Sequence, residues 1–322
     1  MKGGSLVVYL TSLLILIFSC TSSVAAEEVD WGTIEAKTIK VFYPGQSSWQ
    51  FMKGKDHGTG GPPVKTMKKS CAACHVGKTG EYDINADQII SGELKKVKTK
   101  KPLEPQPLSG MPGFKDVEFQ TAYDAENIYM RFQWQGSGAS VADPSLAQDD
   151  KADRISVQIA DKIKSFRDYG CFVTCHDDQE DMPKNRGEDV KLYGYYTRSK
   201  GEIKPQEKLD GYYSKGQFID LWIASFEGTE VKTDDEYILQ DRIDDDQNDL
   251  SATGSFEGGQ YTVVITRKLS TGDAADIELL DGKAFSIGVA IHDNKNTGRK
   301  HYTSFPVSIG LSTAADISAQ KL

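Results

Sequence analysis

The sequence predicts a mainly β protein whose large domain is an antiparallel β-sandwich. From Ser109 onward, segments of alternating apolar and polar residues recur, and clusters of Gly, Asp and Asn separate them. Helical periodicity is scarce, with a short piece expected near Glu93. Alternating strands joined by polar turns are typical of sandwiches, because one face of each strand packs on the core and the other meets solvent.

The first 26 residues have the pattern of a secretory signal peptide. Lys2 precedes an apolar run from Leu6 to Phe18 that is too short to span a bilayer, and small residues end the segment at Ala26. We therefore expect cleavage after Ala26 and a periplasmic location. In the alternative, Cys20 is lipidated, but Phe18 is bulky for that motif. Attachment to a membrane is expected only in that case.

The rest of the chain divides at a change of texture. Residues 27–108 form a loop-rich arm that ends in a basic, Pro-bearing linker over 95–107, and residues 109–322 form the sandwich domain. The formal net charge of −9 argues against nucleic acid and anionic lipid as partners. The oligomeric state is left open.

The strands of the sandwich follow in order. Val117–Tyr123 and Ile128–Trp134 alternate around an Asp-Ala-Glu-Asn turn, which predicts a β-hairpin. Further strands are expected at Arg154–Ala160, Gly211–Ile223, Gly254–Phe256, Gln260–Arg267, Ala284–Ile291 and Tyr302–Ile309. The segment from Asp161 to Arg198 is expected to be a long loop, where function commonly concentrates.

Two cysteine motifs carry the chemistry. Apart from Cys20, the cysteines form two close pairs, and a histidine follows each pair directly. Cys71-Ala-Ala-Cys74-His75 is the C-x-x-C-H haem c attachment sequence, in which two thiols bind the porphyrin vinyl groups and the histidine binds the iron.

The second motif is longer by one residue. Cys171 and Cys175 are separated by three residues, and His176 follows. A disulfide framework, a four-cysteine zinc site and a thioredoxin-like pair compete with a haem here. The first two leave the histidines without a role, and the sequence around Gly170 does not suggest the third. Two covalently bound haem c groups are therefore the preferred interpretation, with one haem plus a disulfide as the alternative.

Each iron needs a second axial ligand, and the remaining candidates are few. His57 lies in a Gly-rich loop before the first motif, and His292 and His301 flank a polar loop near the C-terminus. Met182 follows the second motif, and Met111 is a weaker candidate.

An acidic run over 244–249 is a second candidate site. Its oxygen ligands suit calcium, but the run lacks the spacing and terminal Glu of an EF-hand loop. We expect a solvated turn.

Several segments resemble the haem-binding subunit of ethylbenzene dehydrogenase and the diheme c-type cytochromes related to it. The resemblance covers about residues 110–310 and rests on 123–129, 170–178 with Met182-Pro183, 266–273, 290–294 and 301–306. It implies a β-sandwich that holds haem between a mid-chain loop and a C-terminal loop.

The resemblance also suggests ligands. In the molybdoenzyme subunits the haem is type b, held by a methionine and by a lysine in a Lys-x-x-Ser stretch. The matching stretch here begins at His301, so His301 is the expected distal ligand of the second haem, with Met182 as runner-up. For the first haem we expect His57, with His292 as runner-up.

Two six-coordinate irons favour outer-sphere electron transfer over catalysis. We therefore expect a non-enzymatic periplasmic diheme cytochrome that exchanges electrons with a redox partner protein in respiration. The alternatives are the haem subunit of a molybdenum oxidoreductase, a diheme reductase or peroxidase with one open iron, and a carbohydrate-binding sandwich that uses Tyr195, Tyr196, Tyr212 and Tyr213.

Overall fold

The computed structural model describes residues 29–43, 70–79, 81–148, 151–174, 194–199, 202–296 and 300–322. The expected signal peptide with Cys20 lies outside these residues, as do His57, Cys175, His176 and Met182. Residues 31–322 belong to one compact unit. Among the described residues, no helix has both the length and the apolar character needed to cross a membrane.

Strands dominate the described part of the chain. In chain order they are β1 Lys37–Phe42, β2 Phe114–Tyr123, β3 Asn127–Gln135, β4 Arg154–Ala160, β5 Arg198–Ser199, β6 Glu202–Ile203, β7 Ile219–Glu227, β8 Glu230–Ile238, β9 Arg242–Asp244, β10 Ser251–Glu257, β11 Gln260–Lys268, β12 Ala284–His292, β13 Tyr302–Ser304, β14 Val307–Gly310, β15 Ile317–Ser318 and β16 Gln320–Lys321. The α-helices are short: α1 Ala86–Ile90, α2 Ala139–Ala142, α3 Lys164–Tyr169 and α4 Gln206–Tyr213. Single 3-10 turns lie at Trp31–Thr33, Pro144–Ala147, Gly170–Val173 and Tyr195–Thr197.

One large sheet organises the molecule. Its strands run in the order β10-β11-β3-β2-β1-β13-β12-β4-β7-β8-β9, all paired antiparallel, with β14 also on β12. The short β15 and β16 add parallel pairs to β14 and β2. β1 belongs to the segment expected to be a loop-rich arm, yet it pairs with β2 and β13 near the middle of the sheet. The arm is therefore tied to the sandwich by backbone hydrogen bonds.

The sheet curls so that its two ends face each other across the core. The Phe226 ring of β7 lies 4.6 Å from the Tyr261 ring of β11, and Tyr261 stacks on Trp134 of β3 at 5.0 Å. Asn248, just before β10, donates a hydrogen bond of 2.7 Å to the carbonyl of Thr233 on β8. This bond joins the two ends of the sheet. The predicted mainly β, antiparallel sandwich architecture is confirmed.

The predicted β-hairpin is confirmed, and hydrogen bonds within its turn stabilise it. Tyr123 pairs with Ile128, and the Asp124 carboxylate accepts hydrogen bonds of 2.7 Å from the backbone N–H groups of Glu126 and Asn127. An Asp at this position stabilises such turns.

Two predicted strands need correction. The segment Gly211–Ile223 was expected to be one strand, but α4 extends to Tyr213 and β7 begins at Ile219. The tyrosines at 212 and 213 favour strands by propensity, but here they pack around the end of α4. The predicted strand Tyr302–Ile309 is broken into β13 and β14 at Pro306, which has no N–H for a sheet ladder.

Candidate haem-binding site

The first cysteine motif forms a tight turn. The N–H groups of Cys74 and His75 both donate to the Cys71 carbonyl, at 3.1 and 3.0 Å. Hydrogen bonds of this helical type place residues three and four apart on the same side of a turn. Cys74 is exposed, and Cys71 packs against the core. Burial raises the pKa of the Cys71 thiol to about 12.

A backbone carbonyl fixes the tautomer of His75. Its Nδ1 lies 3.0 Å from the Asp83 carbonyl oxygen, and the Asp83 N–H donates back to the His75 carbonyl at 2.6 Å. A carbonyl oxygen only accepts, so Nδ1 carries the proton and Nε2 of the neutral ring carries the lone pair. This is the arrangement in which a histidine ligates a metal while its other nitrogen is held by the protein.

The second motif begins where α3 ends. Gly170 has a φ of 58°, and a Cβ there would stand 3.0 Å from the Pro306 nitrogen, so glycine is needed for two reasons. The following 3-10 turn buries Cys171, and burial raises the pKa of its thiol to about 11. Cys175 and His176 complete this motif and lie outside the described residues.

The face of β12 next to Cys171 carries only small residues near the sulfur. A Cβ built on Gly288 would stand 2.5 Å from the Cys171 sulfur, so no larger residue fits there. The same face of β12 carries Ser286 and Ala290 because side chains alternate along a strand. Gln158 pairs with Gly288, and its buried Oε1 has no hydrogen-bond partner among the described residues. Small side chains leave space for a flat group attached at Cys171, and Gln158 Oε1 could accept a hydrogen bond from it.

The C-terminal histidines lie farther along this face. His292 ends β12 and its ring stacks on the ring of His301, with centroids 4.7 Å apart and planes inclined by 19°. His292 follows Gly288 by four residues on the same strand face, which corresponds to about 13 Å. His301, the predicted distal ligand of the second haem, and His292, the runner-up for the first, are therefore neighbours on the side of the sheet that carries Cys171.

A polar network holds the loop that joins these histidines. The Asp293 carboxylate forms an ion pair with Lys115 at 2.6 Å and accepts from the N–H and hydroxyl of Ser137 at 2.9 and 2.6 Å. Burial by itself raises the pKa of Asp293, but Lys115 and these donors outweigh it and the pKa is lowered. The loop is thus anchored to β2 and to the segment after β3.

Met111 lies beside this loop. Its sulfur accepts a hydrogen bond of 3.4 Å from the Asn294 side chain, and the next residue's carbonyl accepts one of 2.6 Å from the Tyr302 hydroxyl. The weaker methionine candidate is therefore close to the C-terminal histidines, a proximity that its position in the sequence does not reveal.

An aromatic cluster connects the two motifs. The Phe305 ring lies 4.5 Å from Tyr82, 5.5 Å from Phe172 and 5.7 Å from Phe42. Tyr82 follows the first motif and pairs with Val76, whereas Phe172 directly follows Cys171. We call these four rings the Phe305 cluster.

Cys71 and Tyr82 both pack against the hydrophobic core. Burial is the main cause that raises the pKa of Tyr82 and of Tyr169, and the charge of Cys71 contributes to both shifts. Tyr169 is the last residue of α3, two positions before Cys171. The first motif and the start of the second therefore approach the same part of the sandwich.

Comparison with known proteins identifies the family. The ethylbenzene dehydrogenase family profile matches residues 83–249 and 236–304. The chain belongs to the ethylbenzene dehydrogenase family. The resemblance inferred from the motifs is confirmed. The family match includes Cys171, Cys175, His176, His292 and His301, and it begins after the Cys71–His75 motif.

Two cytochromes are similar to almost the whole chain. Cytochrome c-552 of Stutzerimonas stutzeri is 30% identical over 311 residues, covering 95% of this chain and 96% of that protein. Cytochrome c-551 of Rhodocyclus tenuis is 26% identical over 301 residues, covering 91% and 99%. A solved putative carbohydrate-binding protein of Bacteroides uniformis covers 62% of this chain and 71% of that one at 9% identity, with a TM-score of 0.31. That likeness is too weak to bear on fold or function.

Sequence reasoning named the two cysteine motifs but not the residues that surround them. Gly288 has a sequence signal, since a glycine inside a strand marks a close approach of another chain segment. Phe305 has none, because its role depends on three partners distant in the chain. The tyrosines of the carbohydrate alternative are half-buried and packed against the core rather than displayed on an open platform.

Proposed function

We propose that this protein is a periplasmic diheme c-type cytochrome that passes electrons to and from a redox partner protein in respiration. The observation that carries the proposal is the Phe305 cluster, whose rings contact residues flanking both cysteine motifs. Two attachment sites joined by packed rings within one compact unit suit electron exchange between two bound groups.

Each haem has a proposed set of protein ligands. Cys71 and Cys74 attach the first haem, His75 binds its iron, and His57 completes the coordination. For the second haem, Cys171 and Cys175 would provide the attachment, His176 the proximal ligand and His301 the distal ligand, with Met182 as runner-up. His292 is the runner-up to His57 at the first haem. When bound, each haem supplies an iron that takes up and releases one electron.

The protein residues hold these groups and exclude competing chemistry. The Asp83 carbonyl keeps His75 in the tautomer that ligates iron. Two axial protein ligands on each iron leave no coordination position for a substrate, so electron transfer is the expected activity and catalysis at iron is not.

A spectroscopic experiment tests the ligation. The protein is matured with a haem c attachment system, and optical and EPR spectra of the wild type, His57→Ala and His301→Ala are recorded. Low-spin signals from both irons are expected in the wild type, with each variant disturbing a different one. A wild-type iron that is high-spin and binds carbon monoxide, nitrite or peroxide would contradict the proposal and indicate an enzyme.

The family match favours one second candidate, the haem-binding subunit of a molybdenum oxidoreductase. Stable co-purification of the native protein with a large catalytic chain would show that role. Purification of the native protein as a free cytochrome supports the independent carrier.

A further inference from the structure

Three buried carboxylates meet at the edge of the sheet where β7 and β8 approach the loop after β11. Asp220 lies on β7, Asp235 on β8 and Asp276 in the loop, and each offers one oxygen within 4.8 Å of the others. Asp220 is 0% exposed and Asp235 is 2% exposed. The residues are far apart in the chain, so only the fold assembles the group.

Among the described residues, one cation contacts this group, and it cannot balance three ionised carboxylates. The Arg267 guanidinium donates to Asp220 at 2.6 Å and to Asp276 at 2.9 Å, and its Cζ lies 4.7 Å from the centre of the Trp222 ring. If all three carboxylates were ionised, two negative charges would be left in a buried place. Burying an unpaired charge destabilises the folded state, so a further cation would stabilise this site.

Among the described residues, the oxygens that Arg267 does not contact have no hydrogen-bond partner. Both oxygens of Asp235 are buried without a hydrogen bond among the described residues, as are Oδ1 of Asp220 and Oδ2 of Asp276. Asp235 is therefore an almost fully buried carboxylate that points into the cluster and accepts no hydrogen bond from the described residues. Burial, with the nearby Asp220 and Asp276, raises the pKa of Asp235 to about 8.

We propose that Asp220, Asp235 and Asp276 form a calcium site. Calcium binds oxygen ligands at about 2.3–2.6 Å, so oxygens within 4.8 Å of one another can contact one ion. A divalent cation cancels the two excess charges and uses the oxygens that Arg267 leaves unpartnered. The ion ties the β7–β8 hairpin to the loop after β11. This site is independent of the haem proposal.

The acidic run over 244–249 borders the site without forming it. The Asp245 N–H donates to the Asp235 carbonyl at 3.2 Å, which places the run beside the cluster. Within the described residues, the run itself offers no group of three acids close enough to share an ion. Asp246 is exposed in this run and provides a matched control.

The test uses the full-length holoprotein freed of metal with EDTA, and the probe is calcium chloride. We expect calorimetry to show one bound Ca²⁺ per chain and thermal unfolding to shift upward by several degrees in calcium relative to EDTA. Asp235→Asn should abolish both effects while leaving the unfolding temperature in EDTA unchanged, because the amide has the size of the carboxyl but cannot become the anionic ligand. Asp246→Asn should keep both effects.

Two results would overturn the proposal. In the first, the wild-type protein binds no calcium and unfolds at the same temperature in calcium and in EDTA. This result does not depend on whether any variant folds. The other is calcium binding that survives Asp235→Asn or disappears in Asp246→Asn, which would locate the ion in the acidic run.

Discussion

At the scale of single residues, the proposed second attachment site depends on the missing side chain of a glycine. Gly288 faces Cys171 so closely that even a methyl group would overlap its sulfur, at 2.5 Å. A clash of this size with a buried, well-packed residue has to move the backbone, because neither partner has a flexible end. The glycine therefore sets the position of the Cys171 thiol.

Gly288→Ala is expected to reduce the haem content from two per chain to one. The methyl group displaces Cys171 from β12, whereas the first motif lies on a separate segment and keeps its haem. A pyridine haemochrome assay per mole of chain measures the change. Gly211→Ala is the control, since a Cβ there meets nothing within 4 Å. Two haems retained in Gly288→Ala would refute this account of the second site.

At the scale of elements, the loop after β12 determines where the C-terminal histidines lie. Its anchor is the ion pair of Lys115 and Asp293, whose side chains are 10% and 3% exposed. Breaking a buried pair from one side leaves an uncompensated charge, which costs far more than losing a surface pair.

Lys115→Met is therefore expected to destabilise the protein by about 2–4 kcal/mol. Lys40→Met is the matched control, because Lys40 and Asp116 form a pair of the same 2.6 Å length in which the side chains are 28% and 52% exposed. That variant should cost less than about 1 kcal/mol. Denaturant unfolding followed by circular dichroism measures both values, and equal losses would contradict the anchoring role of Asp293.

The elements also show what the sequence could predict. The β2–β3 hairpin, β4, β11 and β12 were predicted closely because their residues alternate or run apolar between clear turns. β8 was missed because Lys232, Asp234 and Glu236 dilute its apolar pattern, and it forms by pairing with the apolar β7. The spacing of Cys71, Cys74 and His75 predicted a compact local motif. The polar loop between His292 and His301 indicated that the two histidines are close, but the stacking of their rings follows from the register of β12 with β13.

At the scale of the whole molecule, one ring links the segments that carry the two motifs. Phe305 is 3% exposed and contacts Tyr82 on one side and Phe172 on the other. The motifs are a hundred residues apart in the chain, and the sheet brings their neighbours together because β1 and β13 are paired strands. The fold thereby supplies a packed connection between the segments that carry the two cysteine motifs.

Phe305→Leu should slow electron exchange between the haems while leaving both attached. The leucine fills part of the volume, so the expected loss of stability is about 1–2 kcal/mol. Phe119→Leu is the control, since Phe119 is a buried ring that packs on Phe132 in another part of the core. Pulsed reduction followed by optical spectroscopy measures the exchange. Equal exchange rates in the two variants would show that the Phe305 cluster plays no part.

The most direct test of the central claim is the intact mass of the mature protein after haem c maturation. The expected mass is that of the processed chain plus two haem groups, which remain attached under denaturing conditions. A single attached haem would contradict the account, because Cys171, Cys175 and His176 would then not form an attachment site.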